Sequence, residues 1–281
     1  MAAAARSLQL LQDNWPAEKP CGRRSIRRNI IATSAWKIPM RSPLVNAYRY
    51  EPCTAKRATT LAPLNQHFSI RASKLMTHKL SGLYLVTPDW DDTEKLLASS
   101  ELAIQGGATI LQYRHKTADA VLRKQQAQAL QQLCQRYQCL FIINDHVDLC
   151  LELDADGIHV GGTDASVAQV RAAVGPDKIV GSSCYGDLQL AHTSHRQGAS
   201  YVAFGGFYPS RIKKYPVTTP FNIVTLSKQE IPLPCAVIGG MTIENCQPLI
   251  AAGADMVAAI SSVFMTENPT EAARGFVRLF D

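Results

Sequence analysis

The 281-residue chain has no apolar run near the ~20 residues that a membrane-spanning helix needs. Its eight cysteines form no Cys-x-x-Cys pair, and no histidine stands at zinc spacing from them. That pattern excludes a zinc knuckle and a dithiol redox motif. Cys134, Cys139, Cys150 and Cys235 fall in apolar segments and read as small core residues of a chain kept in a reducing compartment. No linker-like stretch interrupts residues 82–280, which argues for one domain there. Acidic residues are scarce at one end only. Residues 1–75 hold 13 Lys+Arg against 3 Asp+Glu, whereas residues 76–281 hold 16 against 20. The formal +6 therefore belongs to the tail, and nucleic-acid binding read from overall charge would be misplaced.

The tail also lacks sustained hydrophobic periodicity, and it carries several prolines and the pairs Arg23-Arg24 and Arg27-Arg28. Residues 1–75 are expected to be a disordered basic extension, and residues 76–281 the folded unit. Three readings of the extension compete. The preferred one is a start placed too far upstream, because Met76 precedes Thr77-His78-Lys79-Leu80 and the first strand. The second is an organelle-targeting segment, Arg-rich and poor in acids. The third is a basic arm that touches nucleic acid. The first makes the protein cytoplasmic, a homo-oligomer at most, with no membrane or nucleic-acid partner.

What is present is a series of eight short apolar runs, over residues 83–87, 109–114, 140–144, 157–160, 179–183, 201–205, 236–239 and 256–261. Their spacing leaves room for one helix and two loops between strands, as a parallel β/α array demands. Val/Ile/Leu/Ala-rich runs suit strands buried on both faces. Helices are predicted over 93–105 (closed by Gly106-Gly107), 118–137 and 147–153, and from Ser166. Eight such units predict an α/β fold, a single (β/α)8 TIM barrel, with function gathered at the C-terminal strand ends.

Those ends carry a particular chemistry. Gln112, Arg114 and Lys116 alternate, so they share one side of an extended segment and suit a phosphorylated ligand. Alone, the same run reads equally as a solvated basic loop. Asn144-Asp145 and Asp164 bring carboxylates to neighbouring strand ends, which fits Mg²⁺ shared between acids and phosphates. Helix capping by Asp145 and Asp164 is a compatible second role. Gly239-Gly240 and Ile260-Ser261 follow strands 7 and 8, where this barrel often builds a phosphate site from backbone N–H groups. Two phosphate sites in one mouth imply a transfer between two phosphorylated substrates better than an isomerisation.

Taken in order, these runs resemble a known family. Leu83-Tyr84-Leu85-Val86-Thr87, Gln112-x-Arg114-x-Lys116, Asn144-Asp145-x-Val147-Asp148, Asp156-Gly157-Ile158-His159, the Pro209-Ser210 to Lys213 loop and Ile238-Gly239-Gly240-Met241-Thr242 are similar to thiamine phosphate synthases. The resemblance covers about residues 80–280 and implies a Mg²⁺-dependent transferase of thiamine biosynthesis. Such enzymes join 4-amino-5-hydroxymethyl-2-methylpyrimidine diphosphate to 4-methyl-5-(2-phosphoethyl)thiazole, or its 2-carboxy form, with release of pyrophosphate. It implies that Gln112, Tyr113, Arg114, His115, Lys116, Asn144, Ser183 and Lys213 bind the pyrimidine diphosphate. Arg114, Lys116, Lys213 and Ser183 would do the catalytic work. Ser210, Arg211 and Ile212, with Gly240, Ile260 and Ser261, would hold the thiazole phosphate. Asp145 and Asp164 would hold Mg²⁺. Cys184 and His159 are read as structural or pocket-lining. The chain departs from the family at Gly162-Thr163, at Tyr185 (where many members have His) and at Ile212, which replaces a phosphate-binding Thr beside Arg211. The rivals are a thiazole tautomerase, a phosphate-gripping sugar isomerase barrel, and a non-catalytic sensor whose tail touches nucleic acid.

Overall fold

The computed structural model describes residues 80–161, 166–209 and 219–281. Eight parallel strands occur in chain order: β1 (Gly82–Val86), β2 (Ile110–Tyr113), β3 (Leu140–Asn144), β4 (Gly157–Val160), β5 (Ile179–Tyr185), β6 (Tyr201–Gly205), β7 (Cys235–Ile238) and β8 (Met256–Ala259). Each pairs with the next, and β8 pairs back onto β1 through Leu83↔Val257 and Leu85↔Ala259, so the sheet closes into a barrel. Between and after them run α1 (Thr93–Gln105), α2 (Ala120–Arg136), α3 (Val147–Glu152), α4 (Val167–Val174), α5 (Leu188–Arg196), α6 (Asn222–Glu230), α7 (Gln247–Ala251), α8 (Ser261–Phe264) and α9 (Pro269–Val277). Among the described residues no helix is long and apolar enough to cross a membrane.

Successive side chains on a strand point to opposite faces, and the barrel divides its core accordingly. Leu83, Leu85, Leu111, Phe141, Ile143, Ile158, Val202, Phe204 and Val257 point outward and pack with the helices in one continuous buried cluster. Tyr84, Val86, Ile110, Leu140, Ile142, Ile179, Tyr201, Met256 and Ala258 fill the interior as a second cluster. A fully buried side chain such as Leu83 outside or Ile142 inside contributes about 1.5–3 kcal/mol, so both layers stabilise each stave. The upper interior is different. Gln112 and His159 are buried there although they are polar, an arrangement that costs free energy unless each group is hydrogen-bonded.

The local rules that shape the helices also correct the sequence reading. Asp92 accepts from the Lys95 amide at 3.0 Å and starts α1, whose bounds match expectation. Asp119 accepts from the Leu122 amide at 2.9 Å, so α2 begins at Ala120, two residues later than predicted. Ser166 caps α4 through a capping box with Gln169, and the capping role expected of Asp164 lies outside the described residues. Asp145 does not cap α3: His146 is the N-cap residue and makes no side-chain cap bond. Asp145 instead takes a left-handed φ of 63°, a conformation that Asp tolerates better than most residues. β8 ends at Ala259 because Ser261 already begins α8, and β5 runs on to Tyr185 past a register shift after Ser183.

Candidate active site

At the C-terminal end of the barrel the strands open into a cavity with an apolar floor and a polar wall. Val86, Ala203, Ala236, Ile238 and Ala258 form the floor. Gln112, Arg114, Lys116, Asn144, Asp145, His159 and Ser183 form the wall, with Tyr185 at its edge. Cys184, between Ser183 and Tyr185, points away and packs in the helix-facing cluster.

The cationic side of the wall is held from below. The buried Thr87 hydroxyl donates to the Arg114 carbonyl and accepts from the Arg114 amide, both at 2.8 Å, where the β1–β2 ladder ends. Asp89 then fixes both cationic residues. Its two oxygens each lie 3.1 Å from Arg114 Nη1, and Oδ1 accepts from the Lys116 amide at 2.8 Å. The Lys116 ammonium reaches across to the Asp145 carboxylate. Asn144 Nδ2 donates to the same carboxylate at 2.5 Å, and the Asp145 amide donates to the His159 carbonyl at 2.9 Å. Lys116 is half exposed whereas Asp145 is largely covered, so the ammonium can leave the pair more easily than the carboxylate can.

The uncharged side is a connected run of hydrogen bonds. Gln112 Nε2 donates to Tyr84 Oη at 2.6 Å, and Tyr84 Oη meets Tyr201 Oη at 2.6 Å. Tyr201 Oη lies 2.8 Å from His159 Nδ1, and His159 Nε2 lies 2.9 Å from Ser183 Oγ. The His159 ring also stacks on the Tyr201 ring at 5.6 Å. Burial pushes both phenols up from their ordinary range, so they remain neutral. Gly181 makes this possible. It pairs with His159 on one side and Tyr201 on the other, and a Cβ there would fall inside the Tyr201 ring's own space.

Of the residues expected from sequence, Gln112, Arg114, Lys116, Asn144, Asp145 and Ser183 come together around this cavity. Tyr113 and His115 do not. They alternate with the lining residues and face the helices: Tyr113 Oη donates to Gln126 Oε1 at 3.0 Å, and His115 Nδ1 accepts from the Ala118 amide at 3.0 Å. Gly240, Ile260 and Ser261 follow directly on β7 and β8 at the same end of the barrel, outside the residues that line the cavity. Gly240 has φ 65°, and a Cβ would collide with the Pro209 carbonyl, so this loop needs glycine there. Asp164, Ser210, Arg211, Ile212 and Lys213 lie outside the described residues.

Sequence reasoning missed Asp89, Tyr84 and Tyr201. A tyrosine at an inward position of an otherwise aliphatic strand was the available clue to the last two. Cys184 and Cys235 are packing groups, their thiols pushed up to about 11 and about 12 by burial.

Asp145 offers hard oxygen donors, and the Lys116 ammonium meets it, so the position suits positive charge. Among the described residues no three His, Cys, Asp or Glu side chains converge as a metal-binding set.

The sequence pattern of the family described as thiamine monophosphate synthase matches residues 83–263. A thiamine-phosphate synthase of Janthinobacterium sp. (strain Marseille) is 66% identical over 205 residues, covering 73% of this chain and 99% of that one. Another, from Nitrosomonas eutropha, is 43% identical and covers 72% of this chain and 95% of its own length. Among solved structures, a thiamine phosphate pyrophosphorylase from Pyrococcus furiosus superposes with a TM-score of 0.63 at 28% identity, over 75% of this chain and 96% of that chain. A 3-hexulose-6-phosphate synthase, at 16% identity and a TM-score of 0.54, shares the fold alone. The closed barrel, the order of its strand-end residues and these likenesses agree: this chain belongs to the thiamine monophosphate synthase family.

Proposed function

We propose that the chain is a thiamine-phosphate synthase that joins 4-amino-5-hydroxymethyl-2-methylpyrimidine diphosphate to 4-methyl-5-(2-phosphoethyl)thiazole or its 2-carboxy form. It is a transferase. The observation that carries the reading is the gathering of Gln112, Arg114, Lys116, Asn144, Asp145 and Ser183 around one cavity at the C-terminal strand ends.

In this reading the diphosphate lies beside Arg114 and Lys116, joined by Lys213, and the pyrimidine beside Gln112, Asn144 and Ser183. Asp145 and Asp164 would hold Mg²⁺. When bound, the ion neutralises diphosphate oxygens as charge moves onto the leaving group. The fit at Asp145 is supported by the ammonium already paired there. Lys116 can serve Asp145 before substrate arrives and the diphosphate afterwards. Gly240, Ile260 and Ser261, with Ser210, Arg211 and Ile212, would hold the thiazole phosphate.

The reaction breaks the bond between the pyrimidine methylene carbon and diphosphate oxygen and forms one between that carbon and the thiazole nitrogen. The electron-rich aminopyrimidine lets the methylene carry positive charge as the diphosphate leaves. The attacking nitrogen bears no proton, so no protein base is needed. The protein's work is to steady the departing charge and hold the nitrogen within reach. Asp89 and Thr87 serve the first task by fixing Arg114 before substrate arrives.

A tautomerase gives no use to a wall that sets Arg114 and Lys116 beside Asp145, and a sugar isomerase gives none to Asp145. The test is to incubate the purified protein with both phosphorylated halves, with and without Mg²⁺. Thiamine phosphate and pyrophosphate are expected in equal amounts only with the ion. Consumption of neither half would overturn the reading.

A further inference from the structure

We propose that Gln112, Tyr84, Tyr201, His159 and Ser183 form a one-way hydrogen-bond chain that holds His159 as its Nε2–H tautomer, presenting an acceptor at Gln112 and a donor at Ser183 to the substrate's ring. The identity of that ring, an aminopyrimidine, rests on the proposed function.

Proton counting sets the direction. Each phenol has one proton to donate, and both oxygens are buried. Gln112 Nε2 can only donate, so Tyr84 Oη receives a proton from it at 2.6 Å. Tyr84 must then place its own proton on Tyr201, since a buried donor left without a partner is costly. Tyr201 in turn donates to His159 Nδ1, which makes that nitrogen the bare one. The neutral ring carries its proton on Nε2 and donates it to Ser183 Oγ. Ser183 is left with its hydroxyl proton, and Gln112 with its Oε1, and both residues line the cavity.

The reverse order needs Gln112 turned over, and it inverts every bond. The polarity of Gln112 and that of Ser183 are therefore linked through groups buried in the barrel interior. Such a wall suits a ring that offers an exocyclic amine and an acceptor. It rejects an oxo analogue, because Gln112 Oε1 would then face another acceptor. Tyr201 is a positioning residue, whereas Tyr84 and His159 also line the cavity.

The test uses full-length protein with ¹⁵N-labelled histidine and no ligand. The His159 resonances are assigned by their loss in His159→Gln. The native protein should show Nε2 protonated and Nδ1 bare; the opposite tautomer would overturn the proposal. Tyr201→Phe should yield a tautomer mixture and raise KM for the pyrimidine diphosphate about tenfold, as loss of one buried hydrogen bond allows. KM for the thiazole phosphate should stay unchanged, and the preference for a 4-amino over a 4-oxo pyrimidine should fall. An unaltered tautomer and unaltered preference would show the hydroxyl to be structural only and sink the idea. Should Tyr201→Phe fail to fold, Tyr84→Phe carries the same readouts. If native protein turns over no substrate, the proposed function fails, and the tautomer measurement still judges the chain.

Discussion

Asp89 accepts from both the Arg114 guanidinium and the Lys116 amide, so one carboxylate holds the Arg114 side chain and the Lys116 backbone in place. Its removal should be felt in binding more than in folding, because it is partly exposed. Asp89→Ala is expected to raise KM for the pyrimidine diphosphate roughly tenfold with little change in Tm. Steady-state kinetics beside a melting curve check this, and an unchanged KM would refute that role. Asp145→Ala should lower Mg²⁺-dependent pyrophosphate release by about a hundredfold or more. Near-normal release would remove Asp145 from the proposed Mg²⁺ site.

Residue chemistry is legible in the sequence where side chains follow the period-2 alternation of a strand. Gln112, Arg114 and Lys116 share a side, and they meet at the cavity. Tyr113 and His115, which the resemblance adds to them, alternate with these residues, and their side chains face the helices. Tyr84 and Tyr201 stand 117 residues apart, and only closure of the barrel brings their oxygens together. No local pattern reports a contact of that kind.

Elements were legible to within a residue or two because each strand is a short apolar run and the longer helices carry their own caps. What shifted was decided by neighbours. The β5 strand continues to Tyr185 because β6 keeps pairing beyond the register shift, with Tyr185 opposite Phe204. The β4–β5–β6 sheet is vulnerable at Gly181, the glycine that makes room for the Tyr201 ring. Gly181→Ala would drive a Cβ into the Tyr201 ring, and overpacking of this kind costs about 1–3 kcal/mol. A lowered Tm together with a raised KM for the pyrimidine diphosphate is expected. A variant that melts and turns over like the native protein would mean the ring has room to move.

The molecule as a whole should respond to alkali. The buried thiols of Cys184, Cys235 and Cys246 are pushed up to about 11, about 12 and about 11, chiefly by burial. Since folding raises these values, the folded state is favoured while the thiols stay protonated. That contribution is complete below the ordinary thiol range and is lost as pH rises toward 11 and 12. Denaturant titrations at increasing pH should show stability falling from about pH 9 upward, where a free thiol begins to ionise. A flat profile would contradict the burial of these groups. Residues 76–281 expressed alone should keep full activity, as measured by thiamine phosphate formation. A folded but inactive product would assign the basic extension a part in the site.

One measurement tests metal-assisted transfer in this cavity most directly: a crystal structure with pyrophosphate and Mn²⁺ in place of Mg²⁺, read by anomalous scattering. The expected result is an ion bound to Asp145 oxygen and to pyrophosphate, with Arg114 and Lys116 on the pyrophosphate. Pyrophosphate seated in the cavity with no ion at Asp145, or seated elsewhere on the barrel, would contradict it.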